Sequence, residues 1–135
     1  MIELTFDRAL ELAKQAVEER GEDYVYSPPK DDEGNEIDSC VYVHNGAPSC
    51  LVGEVMFRAG VPLEAMLLHN ESNVNGLVME LDAIVQVDTR TEFILSGMQG
   101  EQDNGTPWGR SVSRAVESLK WAVEHGDLDE DGEAA

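Results

Sequence analysis

Residues 48–60 constrain the fold more than any other part of the sequence. Apolar residues recur there at helical spacing, between one residue suited to begin a helix and one suited to end it. Ser49 suits the N-cap position, since its hydroxyl can accept a hydrogen bond from an amide of the first turn. Gly60 is placed to end the helix in a left-handed conformation, and Pro62 can open the next helix. The pattern predicts a short buried helix around which the rest of the chain packs. Its apolar residues are Leu51, Val52, Val55, Met56 and Ala59.

Helical spacing of apolar residues also predicts the longer helices. The first begins at Thr5 or Asp7 and ends at Gly21. Shorter helices are expected after Pro62, over residues 73–84 and over residues 93–101. The clearest helix is the last, which Gly126 closes. Its apolar stripe consists of Trp108, Val112, Ala115, Val116, Leu119, Ala122 and Val123.

Two glycines in the predicted helix of residues 93–101 suggest that another part of the chain packs closely against it. Each of Gly97 and Gly100 costs a helix about 1 kcal/mol relative to alanine. Such a cost suggests that a neighbouring backbone approaches there. In the preceding segment, Val85 and Val87 leave the choice between helix and strand open, because they alternate with polar residues.

Two β-favouring runs predict a hairpin. Tyr24-Val25-Tyr26 is stopped by prolines, and residues 40–44 follow an acidic loop. Alternation in the second run places Cys40, Tyr42 and His44 on one face, with Tyr24 and Tyr26 opposite them if the strands are antiparallel. The sequence thus predicts a mainly helical α+β fold, in which a two-stranded antiparallel hairpin packs on about five helices. A single domain is expected over residues 1–126, followed by a disordered acidic tail over 127–135.

The excess of acidic residues limits the kinds of molecule that this protein can bind. The chain has 28 acidic and 9 basic residues, a net charge of −19, and most of the excess lies outside the tail. Direct binding to nucleic acid or to an anionic membrane is not expected, because both need clustered Lys and Arg. A protein with a basic surface, such as a groove built for DNA, remains compatible. Solubility alone is the alternative explanation of the charge.

The sequence holds no convincing catalytic or metal-binding pattern. Cys40 and His44 would be about 13 Å apart on an extended strand, too far for a thiolate to be activated. A zinc site from these two residues and Cys50 would lack a fourth ligand. The acidic loop does not match a calcium-binding spacing. We therefore expect no enzyme activity, no cofactor and no metal, and both cysteines suit reduced thiols in a cytoplasm, although a disulfide between them stays open.

Trp121 is the best candidate for an interface anchor. It lies about 220° around the last helix from Trp108, away from the apolar stripe and near Arg110, Arg114 and Glu117. An exposed Trp beside Arg is typical of a binding hot spot. The alternative is that Trp121 packs beneath the acidic loop or the hairpin.

Four sequence blocks carry a resemblance to a family. They are Asp23-Tyr24-Val25-Tyr26, Cys40-Val41-Tyr42-Val43-His44, Pro48-Ser49-Cys50-Leu51-Val52-Gly53 and Gln99-x-x-Gln102-Asp103-x-Gly105-x-x-Trp108-Gly109. Together they resemble small acidic proteins of actinobacterial phages and prophages, a group without an assigned activity. The resemblance implies a phage accessory protein that acts in the host cytoplasm, and it does not extend to the acidic tail.

Three functions follow as hypotheses. The first is a non-enzymatic phage protein that binds a host protein with a basic surface, through a site formed by Arg110, Arg114, Glu117 and Trp121. The alternative is a protein that sequesters a small molecule or nucleotide signal in a pocket lined by Tyr24, Tyr26, Tyr42 and His44. An enzyme that uses Cys40 and His44 ranks last. A homo-oligomer is compatible with each of them.

Overall fold

The computed structural model describes residues 1–27, 33–34, 41–70 and 72–126. Within this part of the chain it contains six helices and four short strands. A mainly helical α+β fold with a short antiparallel hairpin is thereby confirmed. The proposed tail and most of the acidic loop lie outside the described residues. In chain order the elements are β1 (Ile2–Leu4), α1 (Phe6–Arg20), β2 (Val43–His44), β3 (Ala47–Pro48), α2 (Leu51–Ala59), α3 (Leu63–Leu67), α4 (Val74–Glu80), β4 (Val85–Val87), α5 (Thr89–Asp103) and α6 (Trp108–Glu124).

The helix ends follow local capping rules, with one correction. Thr5 caps α1 by accepting the amide of Arg8 at 3.2 Å, and Gly60 ends α2 in the left-handed conformation, as predicted. The predicted N-cap at Ser49 is wrong, because α2 begins one residue later. Cys50 is the N-cap, and its Sγ accepts the amide of Gly53 at 3.4 Å.

The hairpin forms in a different place from the one predicted. Its strands, β2 and β3, pair Val43 with Pro48 and His44 with Ala47. The turn between them is Asn45-Gly46, where both residues have positive φ (52° and 73°). This conformation matches the right-handed twist of two paired strands, so a two-residue loop is enough to join β2 to β3. The predicted strand at Tyr24-Val25-Tyr26 is therefore not part of the hairpin.

The segment around Tyr24 is not a strand, contrary to prediction. Its backbone pairs instead with the start of α6: the amide of Trp108 donates to the carbonyl of Tyr24 at 2.8 Å, and that of Gly109 to Glu22 at 3.1 Å. Gly109 is required for this approach, since a Cβ there would lie 2.9 Å from the Glu22 carbonyl oxygen. The segment is thus fixed to the first turn of α6.

A parallel pair of strands, β1 and β4, joins the start of the chain to its middle. Ile2 lies opposite Val85, and Leu4 lies opposite Val87. The choice between helix and strand that the sequence left open at Val85 and Val87 is therefore decided in favour of a strand. No prediction covered β1, because three residues carry too little pattern to indicate a strand.

The prediction that α2 is the buried centre of the fold is confirmed. Every side chain from Leu51 to Met56 is buried, and the helix lies against α1 and α5. Around it, α5 and α6 pack closely at Gly97, where an added Cβ would lie 3.2 Å from the Cβ of Ala115. The close approach predicted at Gly100 is wrong, because open space surrounds that residue.

A buried glutamine joins these three elements. Gln102 near the end of α5 is 2% exposed, and its Oε1 accepts the amide of Leu51 at 2.8 Å and the indole N–H of Trp108 at 3.0 Å. Trp108 is fully buried. The start of α2, the end of α5 and the start of α6 therefore meet at one side-chain oxygen.

A pair of glycine substitutions tests the packing of α2. In Gly53→Ala the new methyl group would overlap the carbonyl of Tyr42, so we expect the free energy of unfolding to fall by about 1–3 kcal/mol. The matched control is Gly100→Ala, which fills open space on a helix and should leave stability unchanged or raise it by up to about 1 kcal/mol. Urea unfolding of both variants measures the difference. Equal effects would show that α2 is not packed against Tyr42 as described.

Candidate functional site

The exposed side of α6 carries the residues predicted to form an interface. Arg110, Arg114, Glu117 and Trp121 follow one another at spacings of four, three and four, which puts them on one helix face. All four are exposed, and residue Trp121 is 56% exposed. The buried side of α6, with Trp108 and Leu119, faces the other way. We call these four residues the α6 outer face; it runs about 16 Å from Arg110 to Trp121.

The prediction that Trp121 lies off the apolar stripe is confirmed. Its indole stacks on the ring of His125, with centroids 4.0 Å apart and planes 18° apart. Nδ1 of His125 also lies 2.8 Å from the carbonyl oxygen of Trp121. The neighbouring ring limits the motion of the exposed indole.

A surface depression of about 470 Å³ adjoins the α6 outer face. Its opposite wall is the segment with Glu22 and Asp23, which the amide of Gly109 holds in place. Sequence reasoning missed this wall, since only the folded chain brings residue 22 to residue 109. The depression is lined by Glu22, Asp23, Pro107, Gly109, Arg110, Ser113, Arg114 and Glu117.

The two arginines of this face have different environments. Nη1 of Arg114 lies 3.2 Å from Oε2 of Glu101, which also accepts a hydrogen bond from the Thr106 hydroxyl at 2.9 Å. The hydroxyl and the guanidinium together hold the pKa of Glu101 below its ordinary value. Among the described residues, none forms an ion pair with Arg110. Arg114 is thus oriented by its own fold, whereas no such ion pair orients Arg110 in the described part of the chain.

The second predicted site is brought together in part. Tyr24, Tyr26 and His44 line one surface depression of about 400 Å³, together with Arg20 and Ser49. We call this depression the tyrosine pocket. It lies beside the hairpin and over the start of α6.

Tyr42 does not belong to this pocket, which corrects the prediction. Its side chain is fully buried, and its hydroxyl donates to the carbonyl of Ser72 at 2.6 Å. Its amide donates to Oδ1 of Asn70 at 2.8 Å. Because the hairpin begins only at Val43, Tyr42 precedes the strand and points into the core instead of sharing a face with His44.

Two aromatic contacts position the tyrosines. The ring of Tyr24 meets the ring of Trp108 edge-on at 4.7 Å between centroids, and Tyr26 lies roughly parallel to the same indole at 6.5 Å. The Tyr26 hydroxyl lies 2.7 Å from Oγ of Ser49. Burial raises the pKa of Tyr26 to about 12, so its hydroxyl stays protonated at pH values where an exposed tyrosine ionises.

Arg20 in the wall of the pocket belongs to a cluster of charged side chains. Nη2 of Arg20 lies 3.5 Å from Oε1 of Glu54, and Nε of Arg58 lies 3.2 Å from Oε2 of the same carboxylate. Arg58 also pairs with Glu19. The Glu54 side chain is only 7% exposed. The spacing of Glu54 and Arg58 in the predicted helix indicates their pair, whereas no local signal links Arg20 to them.

The thiol and metal hypotheses gain no support. Cys50 is buried as the N-cap of α2, and Cys40 lies outside the described residues, so their pairing is not tested. In the described part of the chain no three His, Cys, Asp or Glu side chains are grouped to hold a metal ion. None of the described helices is long and apolar enough to span a membrane.

Comparison of the chain with protein-family models, with curated proteins and with solved structures gave no match. The resemblance to actinobacterial phage proteins therefore stays a prediction that rests on its four sequence blocks. Any function has to be inferred from the surfaces described above.

A charge-removing pair of substitutions tests the cluster of charged side chains that includes Arg20. Glu54→Gln keeps the shape of the side chain but removes the charge that both arginines contact. We expect the free energy of unfolding to fall by about 1.5–3 kcal/mol, the usual contribution of a hydrogen bond to a charged group. The control is Glu11→Gln, which removes the exposed partner of Arg8 and should barely change stability. Equal loss in both variants, measured by urea unfolding, would mean that Glu54 does not organise the cluster.

Proposed function

We propose that this protein is a non-enzymatic binding protein whose α6 outer face docks on a protein partner with a basic surface. The observation that supports it most is the position of Trp121. A tryptophan more than half exposed, on the side of the helix opposite the core, contributes little to folding and offers a large apolar area. Covering that area would contribute about 25 cal/mol per Å² to binding.

Polar groups around the anchor favour a specific contact. Arg114 is held by Glu101, so its guanidinium is already oriented before a partner arrives. Arg110 can form a bidentate pair with a carboxylate on the partner. Trp and Arg are the residue types that most often carry binding energy at an interface. The α6 outer face combines both within four helical turns.

Charge supports a partner with a basic surface. The net charge of −19 attracts cationic proteins over long distances and repels nucleic acid. Glu117 lies one turn from the anchor, and Glu22 and Asp23 lie at the start of α6; all three line the depression and offer carboxylates to Lys or Arg of the partner. Long-range attraction raises the rate of encounter, while Trp121 and the two arginines fix the complex.

The biological setting of this proposal rests on the resemblance alone. If the chain is a phage accessory protein, the partner is a host protein in the host cytoplasm, and a host protein that binds nucleic acid through a basic groove fits the charge. Capture from an actinobacterial lysate on the immobilised protein is the way to recover it.

Two tryptophan substitutions separate binding from folding. Trp121→Ala should retain its melting temperature, and we expect it to weaken binding of the captured protein at least tenfold, the effect of losing a hot spot. Trp108→Ala removes a fully buried ring and should cost about 3–5 kcal/mol of stability. Thermal melting and calorimetric titration measure the two quantities.

A further variant and a salt series complete this test. Phe57→Ala removes another exposed aromatic side chain, on α2, and should leave binding unchanged. Affinity of the wild type should fall steeply between about 50 mM and 500 mM salt, because screening shortens the range of the acidic field. If Trp121→Ala binds normally, or if it unfolds the protein, the α6 outer face is not the interface.

A further inference from the structure

The tyrosine pocket differs in charge from four other surface depressions of the described residues. In this strongly acidic chain, each of those four includes at least one Asp or Glu in its lining. The lining of the tyrosine pocket includes none, but it does include Arg20 and His44. The described walls therefore present a cation and no carboxylate to an anion; the carboxylate that pairs with Arg20, that of Glu54, is 3.5 Å from its Nη2 and is not in the lining.

Arg20 is held in an orientation that suits anion binding. Its Nη2 pairs with the buried carboxylate of Glu54, and its Nη1 lies 3.4 Å from the hydroxyl of Tyr24. The guanidinium carbon lies 5.3 Å from the centroid of the Tyr24 ring and 5.8 Å from that of Trp108. The side chain is still 39% exposed. A guanidinium has five N–H donors in a rigid plane, so donors remain for a phosphate after these contacts.

The remaining walls supply hydroxyl groups and aromatic surface. Tyr24, Tyr26 and Ser49 line the pocket and carry hydroxyls, of which those of Tyr26 and Ser49 lie 2.7 Å apart and share a hydrogen bond. Phosphate oxygens accept hydrogen bonds from such hydroxyls. A volume of about 400 Å³ falls within the range of small-molecule sites, roughly 300–1,000 Å³.

We propose that the tyrosine pocket binds a small phosphorylated compound with a planar ring, of the size of a nucleoside monophosphate. The phosphate lies against the guanidinium of Arg20, and the ring packs along Tyr24 and Tyr26. This site goes beyond the proposed function, since it is separate from the α6 outer face. The acidic body repels anions at long range, so binding depends on these short-range contacts alone.

An NMR titration of the whole chain with adenosine 5′-monophosphate tests the proposal. We expect saturable shifts, with a dissociation constant below about 1 mM, at amides of residues 20–27 and 44–50. Adenosine and inorganic phosphate, each added alone, should bind at least fivefold more weakly, because each makes only part of the contacts. Trp121→Ala should bind the nucleotide like the wild type, which keeps this outcome distinct from that of the proposed function.

Two charge insertions locate the site. Ala47→Glu places a carboxylate on an exposed residue of the pocket wall and should weaken nucleotide binding at least fivefold. The control, Ser113→Glu, places the same charge in the depression beside α6 and should leave binding unchanged. Equal affinity in both variants, absence of saturable shifts, or adenosine binding as tightly as its monophosphate would each overturn the proposal.

Discussion

The hydrogen bonds to Oε1 of Gln102 are the interaction on which the rest of the structure depends. This one buried oxygen satisfies the first amide of α2 at Leu51 and the indole N–H of Trp108. A buried donor without a hydrogen-bond partner costs about 1–3 kcal/mol of stability. Loss of the glutamine would leave two buried donors without a partner. The bonds also constrain geometry, because the amide of Leu51 and the indole of Trp108 must both lie within hydrogen-bonding distance of one oxygen.

Both candidate surfaces depend on the position of Trp108 that this glutamine sets. The indole supports the rings of Tyr24 and Tyr26, and the amide of the same residue holds the carbonyl of Tyr24. The tyrosine pocket therefore rests on the first residue of α6. With that end of α6 fixed, its opposite side faces solvent and presents Trp121. One buried contact thus orients a pocket and an exposed helix face.

Local signals in the sequence predicted the helices and strands better than they predicted which of these elements pack or pair with one another. Periodicity and caps placed the helices, and the same periodicity placed Trp121 away from the core. Propensity misled at Tyr24, because a β-favouring run does not say whether its backbone will pair with a strand or with the first turn of a helix. The turn at Asn45-Gly46 carried the stronger hairpin signal. The bond between Gln102 and Leu51 and the ion pair of Arg20 with Glu54 join residues far apart in sequence, which no local pattern records.

The central claim is that the two tryptophans have opposite positions, one buried and holding the fold and the other exposed on the α6 outer face. Exchange of their indole N–H protons with D₂O, followed by NMR in the free protein, tests it most directly. The indole N–H of Trp108 should exchange only when the core opens, orders of magnitude more slowly than that of Trp121, because it is buried and bonded to Gln102. Comparable exchange rates, or slower exchange at Trp121, would contradict this account.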